Sequence, residues 1–227
     1  MTRKLEDKRS GPADAKRAVV FLHGYGADGA DLLGLAEPLA PHLPDTLFAA
    51  PDAPERCRGN PYGRQWFPIP WLDGSSEVEA GASLARSADD LDGYLDRLLA
   101  ETGLAPDRVA LVGFSQGTMM ALHVAPRRAA PVGAVVGFSG RLLGPERLAG
   151  EAVSRPPVLL LHGDLDEVVA PASTPEAAKA LRAAGFEVKD VVMHGTAHGI
   201  GVDGLTRAVT FLDEHLALAL AKHLPLG

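Results

Sequence analysis

Short, continuous apolar runs recur along this chain, separated by longer stretches with helical spacing. That alternation is the strongest constraint on its fold. Residues 18–22, 46–50, 109–113, 132–138, 158–161 and 187–193 read as strands. Most of these runs are apolar throughout, without the in-out alternation of a half-solvated sheet. The sheet they build must therefore be mainly parallel and covered on both faces. Between the strands, helices are expected near 31–40, from Glu79 to Gly103, over 116–125 and over 171–184, with Gly185 as the C-terminal cap. In the second of these, Leu84, Ala88, Leu91, Leu95 and Leu98 share one face. Asp203 is placed to cap a last helix with Leu205, Ala208, Val209, Leu212 and Leu216 on its apolar side. The expected architecture is α/β in three layers. The charged stretch 1–17 precedes a single domain over 18–227.

Composition narrows the partners. With 46% hydrophobic residues the chain fills a core, so disorder is excluded. The formal charge is −7 with no long Lys/Arg cluster, which argues against nucleic acid. No apolar run reaches the ~20 residues of a membrane span, and the charged N-terminus lacks the apolar core of a signal peptide. One cysteine, Cys57, allows no internal disulfide. These features fit a soluble, cytoplasmic protein. No Cys pair, H-E-x-x-H or EF-hand pattern is present, so no metal and no cofactor are expected.

Sheets of this kind carry their chemistry at the carboxyl ends of the strands, and two glycine motifs compete there. Gly24-Tyr25-Gly26-Ala27-Asp28-Gly29 has the form G-x-G-x-x-G, with Asp52 after the next strand. Alone it would suggest a dinucleotide site for an NAD-dependent oxidoreductase. Gly113-Phe114-Ser115-Gln116-Gly117 is G-x-S-x-G between a strand and a helix. Glycines on both sides of a serine permit a sharp strand-to-helix turn that pushes the hydroxyl outward, beside a helix N-terminus suited to developing negative charge.

A serine hydroxyl needs a base, and the base needs an orienting carboxylate. His162-Gly163-Asp164-Leu165-Asp166 and His194-Gly195-Thr196-Ala197-His198-Gly199 each follow a strand, in the chain order serine, acid, histidine. Spacing leaves Asp164 and Asp166 open, and likewise His194 and His198. His42, His123, His215 and His223 read as surface or packing residues on helices. The Gln116 N–H is one expected oxyanion donor, and the loop His23-Gly24-Tyr25-Gly26 supplies the other. The two glycine motifs then serve one site, and no nucleotide is needed.

Leu22-His23-Gly24-Tyr25-Gly26-Ala27-Asp28, Ala50-Pro51-Asp52-Ala53-Pro54, Gln65-Trp66-Phe67, the Ser115 motif, His162 to Val169 and Ala197-His198-Gly199-Ile200 together resemble the phospholipase/carboxylesterase family of α/β-hydrolases, which includes the acyl-protein thioesterases. The resemblance runs from about residue 18 to 216. It implies a nucleophile at Ser115, a carboxylate at Asp166, a base at His198, and oxyanion donors at the N–H groups of Tyr25 and Gln116. The family often has Leu where Tyr25 stands and usually places Pro directly after two valines, where here Ala170 precedes Pro171. Between Trp66 and Glu79 the chain looks more like the bacterial carboxylesterases. The implied reaction is hydrolysis of short- to medium-chain carboxylic esters, with thioesters and lysophospholipids as related substrates. The alternatives are the NAD enzyme and a hydrolase fold that only binds a ligand.

Tyr62, Trp66, Phe67 and Trp71 crowd into one short window of a chain otherwise poor in aromatics. Residues 57–78 are expected to form a lid-like loop, with Trp66, Phe67 and Trp71 as an apolar wall for a small-molecule ester. An exposed aromatic lid also offers a homodimer contact. Met119 and Met120 are expected in the core.

Overall fold

The computed structural model describes residues 2–222, so His223 and the last residues of the expected domain lie outside the described residues. In chain order the elements are β1 (Asp7–Ser10), β2 (Arg17–Leu22), α1 (Gly29–Leu33), α2 (Ala36–Leu39), β3 (Thr46–Pro51), β4 (Glu55–Arg56), β5 (Arg64–Gln65), α3 (Pro70–Asp73), α4 (Glu77–Thr102), β6 (Val109–Phe114), α5 (Gln116–Val124), β7 (Ala134–Phe138), α6 (Pro145–Glu151), β8 (Val158–Gly163), α7 (Ser173–Ala183), β9 (Val188–Met193) and α8 (Val202–Lys222). Seven strands form one sheet in the order β1-β3-β2-β6-β7-β8-β9, parallel except where β1 meets β3.

The continuous apolar strands do bury both faces. Val20, Leu22, Leu111, Val135 and Leu160 pack with Leu91, Leu95, Leu98, Met120 and Leu181 from α4, α5 and α7. Their neighbours Val19, Phe21, Val112, Val136 and Leu161 point the other way, onto Leu32, Leu39, Ala208, Leu212 and Leu216. The period-2 geometry of a strand thus splits each run between two cores. Helix α4 begins two residues earlier than expected, because Ser76 and Glu79 form a reciprocal capping box, and it stops at Gly103 with φ 68°. Asp203 lies inside α8 and pairs with Arg207 at 3.2 Å; it is not the cap. Helix α6 carried no signal in the periodicity.

Two boundaries need correction. The charged stretch 1–17 belongs to the domain: β1 extends the sheet antiparallel to β3, Leu5 is buried, and Arg3 Nε lies 2.7 Å from the buried carboxylate of Asp90. Charge hid the strand, since an edge strand has one side in water. The expected loop 57–78 is not structureless either. Strands β4 and β5 pair as a small ribbon and α3 follows. The ribbon is tied to the first glycine loop by Gly26 N–H to Arg64 O and Arg64 N–H to Ala27 O, both 2.8 Å. Among the described residues no helix is long and apolar enough to cross a membrane.

Candidate active site

Three loops meet at the carboxyl edge of the sheet. The first is the turn from β6 into α5. Ser115 sits there with φ 52° and ψ −114°, a backbone conformation costly for any residue with a side chain. Its N–H donates to Phe138 O at 2.9 Å. Thr118 Oγ1 lies 2.8 Å from both Gly113 O and Phe138 O and ties the turn to β7. A Cβ at Gly117 would fall on the backbone of Leu22 and His23, so α5 can start only this close to β2 with glycine there.

The second loop is His23 to Gly26. His23 is fully buried, its Nε2 accepting from Ala53 N–H at 2.9 Å and its Nδ1 lying 2.8 Å from Gly24 O. The first contact requires a bare Nε2, so Nδ1 carries the proton. Burial pushes the imidazole below its ordinary range, in keeping with this neutral form. Gly24 packs against the nucleophile: a Cβ there would stand 3.4 Å from that of Ser115. The Tyr25 N–H has no partner among the described residues. Gln116 opens α5, where helix N–H groups lack intrahelical acceptors. The Tyr25 phenol turns away, accepting from Gly59 N–H and donating to Asp73 Oδ2, each at 3.2 Å.

The third loop pair separates the alternatives left open by spacing. Asp166, buried, accepts Val168 and Val169 N–H on Oδ1 at 2.8 Å each and faces His198 Nδ1 with Oδ2 at 2.8 Å. Burial favours its neutral form, but His198 and the two amides outweigh it and hold Asp166 below the usual carboxylate range. The His198 ring lies on Phe114, the neighbour of Ser115, with centroids 4.9 Å apart. Asp164 and His194 instead form a surface pair at 2.9 Å, with the His194 side chain 85% exposed. Gly163 brings the two loops together, since a Cβ there would overlap Thr196 O and Ala197 O.

The aromatic window divides. Trp66 is wholly buried: its N–H donates to Gln116 Oε1 at 2.8 Å and its indole N–H to His23 O at 3.0 Å. This corrects the expectation that it walls a substrate, because it presents no surface. Phe67 and Trp71 do border a cavity of about 170 Å³, with Leu84, Met119 and Arg141. Met119 is therefore both packed and cavity-lining, while Met120 is core alone. The Gln116 side chain clamps the ribbon's exit, its Nε2 donating to Phe67 O at 2.7 Å.

The first glycine motif is accounted for without a nucleotide. Asp52 Oδ1 accepts Gly29 N–H at 2.9 Å and meets Lys8 Nζ at 3.3 Å, while Asp28 caps α1. Sequence reasoning missed the buried packing of His23 and the side-chain role of Gln116. A signal for His23 existed: like His194, it precedes glycine directly after a strand.

The family described as phospholipase/carboxylesterase matches residues 9–216. The chain is 26% identical to an esterase of Escherichia coli, YpfH, over 92% of this chain and 85% of that protein. It is 27% identical to acyl-protein thioesterase 1 of Neurospora crassa over 90% of each. Among solved structures, esterase PE8 superposes with a TM-score of 0.88 at 42% identity, covering 94% of this chain and all of that one. Acyl-protein thioesterase 2 of Zea mays shares the fold, with a TM-score of 0.75 at 24% identity over 93% of this chain and 99% of that one.

Proposed function

Since the chain belongs to the phospholipase/carboxylesterase family of α/β-hydrolases and is an ester hydrolase, we propose that it is a serine carboxylesterase working through Ser115, His198 and Asp166. The observation that carries this reading is the buried Asp166 carboxylate paired with His198, whose ring lies on Phe114 next to a serine in a strained turn. Asp166 accepts the Nδ1–H of His198, which leaves Nε2 free to take a proton. Ser115 Oγ attacks the ester carbonyl as its proton passes to His198 Nε2. The Tyr25 and Gln116 N–H groups stabilise the oxyanion. His198 protonates the departing alcohol, giving an acyl-enzyme. Water then attacks with His198 as base, and the acid leaves.

A cavity of about 170 Å³ lies below the usual ~300–1,000 Å³ of small-molecule sites, which favours short to medium acyl groups. The same steps hydrolyse thioesters, the substrates named for the thioesterase relatives. Ser115→Ala should lose ~10⁴-fold or more in kcat on a 4-nitrophenyl acyl ester. A fluorophosphonate should label wild-type protein at Ser115 only. A folded Ser115→Ala enzyme with near-normal turnover would overturn the mechanism, and folded wild-type protein that resists labelling would point to a ligand-binding role.

A further inference from the structure

We propose that Arg141 is an anion-recognition residue that takes the distal carboxylate of an ester whose acyl group ends in a second, ionised carboxyl. The proposal rests on the serine-esterase reading of Ser115 and deepens it to a substrate class. Arg141 leaves the end of β7 beside the nucleophile: a Cβ on the preceding Gly140 would stand 2.9 Å from Ser115 O. Its guanidinium carbon lies 4.6 Å from the centre of the Trp71 ring.

The two arginines buried most deeply among the described residues are paired with acids. Arg17 meets Asp213 and Pro44 O, and Arg128 meets Asp92 and Asp96. Arg141 forms no ion pair or hydrogen bond with the described residues, and its Nε is shut off from solvent without an acceptor. It borders two spaces at once, the apolar cavity beside Met119 and a cleft of about 360 Å³ on its other side. Glu77 and Glu176 border these spaces too, yet neither pairs with it.

The combination has one chemical reading. The cavity walls, Phe67, Leu84 and Met119, suit methylene groups, and Arg141 borders the same cavity. A guanidinium is a planar fork of donors matched to a carboxylate, and stacking on an aromatic face holds that plane while leaving its edge free. A neutral acyl chain would leave the buried Nε–H unsatisfied. A terminal carboxylate would satisfy it.

The test compares 4-nitrophenyl hexanoate with the mono-4-nitrophenyl ester of hexanedioic acid, corrected for spontaneous cleavage. Wild-type enzyme should favour the charged ester by at least tenfold in kcat/KM, and added salt should erode that preference. R141Q should abolish the preference, whereas R141K, which keeps the charge without the fork, should retain part of it. In parallel, the quenching of tryptophan fluorescence gives the Kd of hexanedioate and of hexanoate. Wild type should bind the dianion at least tenfold more tightly, and R141Q should bind both alike. Equal treatment of the two acids and esters by wild type, or an unchanged preference in R141Q, overturns the assignment. Failure of the esterase reading would appear as loss of turnover on both esters, and the binding measurement would still decide the role of Arg141.

Discussion

Asp166 Oδ2 meets two imidazoles. His198 Nδ1 is 2.8 Å away, and His162 Nε2 is 3.0 Å away while also lying 2.9 Å from Val169 O. A carbonyl oxygen only accepts, so His162 Nε2 carries the proton and donates it to Val169 O, with the carboxylate close beside it. Its Nδ1 then accepts from the Thr174 hydroxyl at 2.8 Å. His162 is thereby a positioning residue: it holds Val169, whose N–H helps to fix the carboxylate that fixes the proposed base. His162→Phe should lower kcat about 10–100-fold with little change in KM, as loss of an outer hydrogen-bonding partner does at comparable sites. His162→Gln, which restores a donor to Val169 O, should recover part of the loss. Equal losses in the two variants would leave His162 a packing residue.

At the scale of the element, α5 carries the site at one end and an acid-sensitive group at the other. His123 lies in its last turn, where burial and the charges of Arg127 and Arg147 bring it down to about 4, opposed by Glu151. In the unfolded chain an imidazole protonates near 6.5. The folded pKa is therefore the lower one. The contribution to stability is complete above about 6.5 and is lost as pH falls from there to about 4. Urea midpoints at pH 7 and pH 4.5 should show wild type losing on the order of 1 kcal/mol more than His123→Gln, after discounting for its partial exposure. The helix that presents the Gln116 N–H is thus weakened from its far end in acid. An identical pH dependence in the two proteins would remove His123 from the account.

Over the whole molecule, the site depends on a sheet whose edge is closed by its least sheet-like sequence. Strand β1 covers β3 and supplies Asp7 to the Tyr94 hydroxyl at 2.6 Å, and the segment before it supplies Arg3 to Asp90 at 2.7 Å. Both partners project from α4, so the N-terminal segment ties the sheet edge to the helix that backs the cavity. Deleting residues 2–10 should cost roughly 2–3 kcal/mol, because it strands the buried Asp90 carboxylate while removing a partner that is itself partly exposed. It should also cause concentration-dependent association through the bared β3 edge. Urea unfolding and sedimentation velocity would check this, and a shortened chain that stayed monomeric at full stability would show the strand to be dispensable.

What the sequence determined by itself is what short-range physics decides. Apolar runs without alternation require a doubly covered sheet. Glycines around Ser115 allow a sharp turn, and Ser76 with Glu79 starts a helix. Each depends on residues a few positions apart. Tertiary structure alone decided which acid meets which histidine: Asp164 and Asp166 have nearly equal spacing to their strand, and only the approach of Gly163 to Thr196 and Ala197, some thirty residues away, buries one pair and leaves the other in water. It also turned Trp66 inward onto His23 and Gln116, and left the Arg141 Nε without an acceptor beside two cavities. Those outcomes depend on strand register and on which loops touch, and no local pattern of residue types encodes either.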